Sequence, residues 1–523
     1  MRQALVLLIL INLLCLNPSE SSERELTQFA QSLQATVDIH HDLQSVLEAN
    51  QIKNACQRHF KRIDSDSEKL PSYLQNDPVA VADMVRCGKW LFFSGDMPSD
   101  VAFPENLVKS GLKILKKETG VALTQYGMIQ NPNQPELPIG ITQAQGNPWG
   151  VLGLFTGKPM TITCAACHFG QLGDGRYAVG KTNDALEFGK VNAFLVFATW
   201  LANNKKFDKS IWPANIQEHY KKLDRLVKRN FSFSRSLFDA VRLIAWLNFS
   251  DSFYKLVNFS LPTPAELLTY TDTKAGVSYA SSPLLPATRR VDGQLKASSY
   301  LLSSPSMWDI ENYDGDVRAG KTRPLSAFIP TDSLYDFVAA AYVFQTGRED
   351  YSTPKFIDPL MLYMRTLKTP KKLQASASQS SIDQGQIIFS QQCQSCHNGQ
   401  DGESLQAYGA DLLGTPEVLI DPFVNYEPIH ELSDRAYRAY LNVVGPLEAR
   451  GGIYSRKLKG AFFRKNFFAN GSADDLQHVF CLSRNRGTLD RNSPASDHVH
   501  LDLCRDYNTE EKRQLINFLE AWN

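Results

Sequence analysis

The sequence contains the pattern Cys-x-x-Cys-His twice, as Cys164-Ala165-Ala166-Cys167-His168 and as Cys393-Gln394-Ser395-Cys396-His397. On one helical turn, residues i and i+3 share a face and residue i+4 follows on the same side. Each stretch therefore holds two thiols and one imidazole together. With nine Cys and ten His in 523 residues, the product of frequencies gives about 0.003 chance matches. The spacing suits covalent attachment of a c-type haem: both sulfurs reach the vinyl groups of one porphyrin, and the imidazole faces the iron. A zinc site would need both pairs in one short domain, whereas more than 200 residues separate these. A thioredoxin-like redox pair would need a β-α-β surround, which neither stretch has. Two covalently bound c-type haems are expected, attached through Cys164, Cys167, Cys393 and Cys396, with His168 and His397 as the proximal iron ligands.

The flanks of the second motif support a cytochrome c-like domain. Ile382–Phe389 reads as an amphipathic helix, with Gly385 where another helix could cross closely. Asn508 and Glu511 form a capping-box signature. Leu515, Ile516, Phe518, Leu519 and Trp522 then make an apolar face at helical spacing, read as core together with Phe389. Residues 22–60 are polar and helical in pattern, and 78–97 reads as a helix followed by a turn. Residues 128–150 are loop-rich, and 190–260 carry Phe, Leu and Trp at helical spacing. Three Asn-Phe-Ser triplets in that stretch (Asn230, Asn248, Asn258) are read as incidental. Few segments alternate like strands. The expected fold is mainly α: two cytochrome c-like haem domains with long loops and a helical insertion. The expected division is a signal peptide at 1–21, a haem-1 domain at 22–367, a linker at 368–381 and a haem-2 domain at 382–523.

Arg2, an apolar run from Ala4 to Leu16, then Pro18, Ser19, Ser21 and Ser22 describe a secretory signal peptide cut near Ser21. Leu13-Leu14 before Cys15 lacks the small residue of a lipidation site, so Cys15 is read as incidental. Export places the chain in the periplasm or outside the cell. In that oxidising setting the four cysteines outside the motifs pair most economically as Cys56–Cys87 and Cys481–Cys504. Lys+Arg and Asp+Glu are 55 each, so there is no whole-chain basic field for nucleic acid. No internal apolar run approaches the roughly 20 residues of a membrane span.

Four blocks carry a family resemblance. The first runs from Asn147-Pro148-Trp149-Gly150 through the first motif to Gly175-Arg176 and Val179-Gly180-Lys181-Thr182-Asn183. The second is Pro305-Ser306-Met307-Trp308-Asp309 with Asp314-Gly315. The third is Leu360–Pro370. The fourth is Tyr454-Ser455-Arg456-Lys457-Leu458-Lys459-Gly460 with Asn470-Gly471-Ser472 and Leu476. In these blocks the chain resembles the dihaem bacterial cytochrome c peroxidase superfamily, nearest to its rubber-oxygenase-like dihaem c-type cytochromes. It departs from the family where Pro-Tyr-Leu-His usually precedes Asn-Gly: here the residues are Asn466-Phe467-Phe468-Ala469.

The resemblance implies a haem oxidoreductase with peroxidase-like activity. The haem at His168 would meet peroxide or O2, and the haem at His397 would be six-coordinate and transfer electrons. The partners implied are a small-molecule oxidant or substrate and an electron-donor protein. Whether a calcium ion (Ca2+) sits between the domains is left open by the sequence. It implies an electron relay at Trp308, whose plain alternative is a core residue, and a place in the distal pocket for Phe328. The second ligand of the C-terminal haem has candidates in His430, His478, His498 and His500, since no Met follows Met364. Relatives use a His just before the terminal helix, which points to His498 or His500, with His500 favoured. In an extended segment those two face opposite ways. Tyr454 and Tyr507 are the tyrosine alternatives, and His430 and His478 otherwise read as solvated surface residues. The competing functions are a rubber-oxygenase-like dioxygenase, an electron-transfer cytochrome without enzymatic activity, and a relative surviving as a binding module.

Overall fold

The computed structural model describes residues 49–62, 78–94, 122–131, 137–143, 159–187, 306–325, 331–346, 353–370, 377–408, 455–482 and 504–522, with short internal gaps, plus isolated strand segments. The signal peptide at 1–21, nearly all of 190–260, Phe328, His430, Tyr454, Ala469, His498 and His500 lie outside the described residues. About 51% of the interpretable part is helical, which makes the fold mainly α. No described helix is long and apolar enough to cross a membrane.

Among the described residues the helices are α1 (Ala49–Arg62), α2 (Pro78–Ser94), α3 (Cys164–His168), α4 (Tyr313–Arg318), α5 (Leu334–Thr346), α6 (Pro354–Arg365), α7 (Gln379–Gln392), α8 (Leu476–Val479) and α9 (Thr509–Ala521). The strands that position a site are short: β1 (Thr36–Val37), β2 (Phe103–Pro104), β3 (Ile141–Gln143), β4 (Pro159–Ile162), β5 (Phe169–Gln171) and β6 (Tyr177–Val179). They form two antiparallel sheets, ordered β2-β4-β3 and β1-β6-β5. The helical pattern expected over 22–60 is corrected at Thr36–Val37, which pair with Ala178 and Tyr177. There the β-branched Thr and Val complete a sheet edge.

Among the described residues, two large hydrophobic cores surround the motifs. In the first, Trp90, Leu91, Phe92 and Phe93 are buried in succession on α2. Four consecutive buried residues cover more than one face, so α2 is enclosed on several sides. It lies against α1 and α6. A Cβ on Gly88 would collide with the Pro359 carbonyl of α6, so Gly is needed for this crossing. The Cys56–Cys87 disulfide and the Arg58–Asp83 ion pair at 2.6 Å tie α1 to α2.

The second core joins α7 to α9 through Phe389, Leu515, Ile516 and Leu519, with Phe518 and Trp522 packed against it. The helices cross at Gly385, where a Cβ would run into the Gln514 carbonyl. The capping box on α9 is complete: the Asn508 side chain accepts from the Glu510 and Glu511 N–H groups, and Glu511 accepts from the Asn508 N–H at 2.9 Å. Such a cap contributes about 1 kcal/mol. Helix α7 starts at Gln379, capped by the Ser378 side chain, so it reaches into the segment expected to be linker. The Ser side chain supplies the acceptor that starts the helix there. The Cys481–Cys504 disulfide closes the same region.

Candidate functional site

The first Cys-x-x-Cys-His stretch is the whole of α3, set between strands β4 and β5; strands do flank this motif, but they belong to different antiparallel sheets and form no parallel β-α-β crossover. Sheet β2-β4-β3 delivers Thr163 in extended conformation, and the Thr163 N–H donates to the Gly140 carbonyl at 2.8 Å. Gly140 has φ of 89°, and a Cβ there would lie 2.6 Å from the Ala166 Cβ. The two central alanines are buried, and their small size lets the Gly140 turn press against the helix. A five-residue helix leaves its carbonyls short of partners, and the next loop supplies them. The Gly180 N–H donates to the His168 carbonyl at 2.7 Å and the Asn183 N–H to the Cys167 carbonyl at 2.8 Å. The Asn183 amide also donates to the carbonyls of Gly127 at 2.9 Å and Ala166 at 3.3 Å.

The second stretch follows α7 as a hydrogen-bonded turn. The His397 N–H donates to the Cys393 carbonyl at 2.8 Å, which sets the imidazole one turn beyond the first thiol. His397 Nδ1 lies 2.8 Å from the Gly402 carbonyl oxygen. A carbonyl only accepts, so Nδ1 carries the proton and the lone pair of the neutral ring is on Nε2. The bond holds the ring in one tautomer and one orientation. Burial lowers the His397 pKa, against the opposing Gly402 hydrogen bond and the Glu403 charge. Gly402 has φ of 75°, and a Cβ there would lie 2.7 Å from the Trp522 ring, so glycine is required to aim this carbonyl. Ser455 Oγ lies 3.1 Å from the same imidazole nitrogen. The segment carrying Ser455 is pinned by Lys457 on Asp401 at 2.6 Å and by the Leu458 N–H on the Asp401 carbonyl at 2.8 Å.

The four thiols of the two stretches are unbridged, while Cys56–Cys87 and Cys481–Cys504 are joined. Burial, then the neighbouring Cys164, pushes the Cys167 thiol up to about 12. Burial, then Cys396, does the same to Cys393. Each stretch presents two unbridged thiols with an imidazole one turn on, which fits covalent haem attachment in chemistry and spacing.

Trp308 stands where the surroundings of the two motifs meet. It is 5% exposed, and its Nε1–H donates to the Val179 carbonyl at 2.8 Å. Its ring meets Phe463 edge-on with centroids 6.2 Å apart. Cβ positions built on Gly180 and Gly460 fall 2.9 Å and 3.4 Å from its atoms, so glycines flank it on both sides. Asp309, the next residue, accepts from Thr369 Oγ1 at 2.6 Å and pairs with Lys459 at 3.1 Å. The Lys465 N–H donates to Asp184 at 3.2 Å, and the Gln400 N–H to the Lys321 carbonyl at 2.9 Å.

His478 corrects the expectation of a solvated residue. It is 5% exposed on α8, its Nδ1 accepts from the Asp474 N–H at 3.3 Å, and its backbone N–H donates to the Asp475 carboxylate at 2.7 Å. The Asp475 side chain caps this short helix, whose Leu476, His478 and Val479 are buried. Tyr507 is partly buried, and burial, then the nearby Cys393, raises its pKa. The Gly402 carbonyl, Ser455 and the charged group of Lys181, Asp184 and Arg464 were not assigned roles from sequence. The groups brought together come from positions up to 281 residues apart, so no local pattern marks them.

Comparison of the chain with protein-family models, with curated proteins and with solved structures finds no match.

Proposed function

We propose that the chain is a periplasmic dihaem c-type cytochrome, an oxidoreductase with peroxidase-like activity. One observation carries the reading: two Cys-x-x-Cys-His turns, each with unbridged thiols, in a chain whose other described cysteines close disulfides. Those disulfides accord with an oxidising compartment. Bound haem would supply a redox-active iron able to take peroxide or O2 where a coordination position is exchangeable. Cys164, Cys167 and His168 would hold one haem, and Cys393, Cys396 and His397 the other. The chain's own work is positional. The Gly402 carbonyl orients the His397 ring, and the Gly180 and Asn183 N–H groups hold the end of α3. Trp308 fills the space between the two surroundings, and its ring would shorten the electron path between them.

The test is production with a c-type maturation system, then intact mass and EPR before and after peroxide. Two covalent haems, one high-spin and changed by peroxide and one low-spin, are expected. A folded chain carrying no covalent haem overturns the proposal. Two low-spin haems untouched by peroxide overturn its enzymatic part and leave an electron carrier.

A further inference from the structure

The charges at the junction do not balance. Lys181 is 4% exposed, donates to the Thr182 carbonyl at 3.0 Å and pairs with Asp184. Arg464 is close enough that the Asp184 carboxylate opposes the fall in its pKa caused by burial. Burial is also the main cause lowering the Lys181 pKa; Asp184 opposes it, and the charges of Lys465 and Arg464 add to it. Among the described residues, Arg464 places one N–H on the Lys457 carbonyl at 2.7 Å and sets its guanidinium 5.9 Å from the Phe467 ring centre. That is one acceptor for five donors. One nearly buried carboxylate thus faces a buried lysine and a partly buried arginine, with the exposed Lys465 adding to the same sign. A buried charge left without a counter-charge is unfavourable, so a second carboxylate fits here.

The cations come from the neighbourhoods of different motifs. Lys181 follows Gly180, whose N–H holds the His168 carbonyl. Arg464 ends the segment that begins at Ser455, beside His397. Resting on the dihaem reading above, we propose that Arg464 and Lys181 bind a propionate carboxylate of a haem at this junction. The guanidinium suits a carboxylate because two parallel N–H groups match its two oxygens, while the ammonium acts as a point charge. The propionate and Asp184 together would neutralise the two cations. Arg464 and Lys181 are then positioning residues, setting how the haem edge sits and how readily the iron is reduced.

The test compares holoproteins of wild type, Arg464→Met, Arg464→Lys, Lys181→Met and Lys465→Met, each first checked for two haems by intact mass. Resonance Raman reads the propionate bending band, and spectroelectrochemistry reads the ferric-to-ferrous ratio at fixed potential. Arg464→Met is expected to move the band and raise that ratio about tenfold, the effect of one screened charge contact. Arg464→Lys should restore part of the ratio, and Lys465→Met should leave the band in place. If Arg464→Met yields no holoprotein, Lys181→Met and Arg464→Lys carry the same reading. Two haems by mass with an unmoved band in the Arg464 and Lys181 variants overturns the propionate site and leaves the dihaem reading standing. A wild-type chain without covalent haem brings down both, and the mass alone tells the two failures apart.

Discussion

Asp309 adopts φ of 53°, in the left-handed region. For a non-glycine residue this costs on the order of 1 kcal/mol. The strain is offset by what the conformation permits. The Asp309 N–H reaches the Leu367 carbonyl at 3.0 Å, and its carboxylate reaches both Thr369 and Lys459. Burial pushes its pKa up, but the Thr369 hydrogen bond and the Lys459 contacts outweigh it, so the net shift is downward. A carboxylate whose folded pKa is depressed adds stability above its unfolded pKa, near 4, and loses it as the pH falls through the lower folded value. Asp309→Asn should therefore lower stability at neutral pH. Its acid limb below about pH 4 should be shallower than that of the wild type. Urea midpoints across the acid range measure this, and parallel acid limbs would refute it.

Among the elements, the pairing of α7 with α9 rests on one missing side chain. Gly385 brings the α7 backbone against the Gln514 carbonyl, and Phe389 then reaches Phe518 and Trp522 at centroid distances of 5.3 and 5.2 Å. A helical glycine costs about 1 kcal/mol against alanine, so the close approach and the ring contacts must exceed that. Gly385→Val is expected to destabilise by about 3 kcal/mol or more, because the crossing must open against backbone. Chemical unfolding measures the loss, and a change below 1 kcal/mol would show that the helices can slide apart freely. This pairing was legible in the sequence because a capping box, a helical apolar face and a glycine are local signals. The strands flanking α3 were not, since two to four residues are too few to show a period. Their pairing depends on partners far along the chain, as Thr36 with Ala178 shows.

For the whole molecule, Trp308 joins the first core to the C-terminal segment. Its indole is anchored on Val179, and Phe463, from that segment, lies within the first core. Trp308→Ala should cost about 3–5 kcal/mol from the lost buried area and the cavity left behind. Trp308→Phe keeps most of the area but leaves the Val179 carbonyl without its donor, which should cost about 1–3 kcal/mol. Urea unfolding of the holoprotein checks the ranking, and equal losses would mean the indole N–H rather than the ring sets the contact. The two motifs, the α7 and α9 signals and the disulfide partners were readable from sequence alone. Each depends on residue identities a few positions apart or on the small number of cysteines available to pair. The buried His478, the Gly402 carbonyl on His397 and the gathering of Lys181, Asp184 and Arg464 were decided by tertiary structure. Burial, hydrogen-bond partners and charge balance depend on which distant segments meet, and that follows only from the chain packing as a whole.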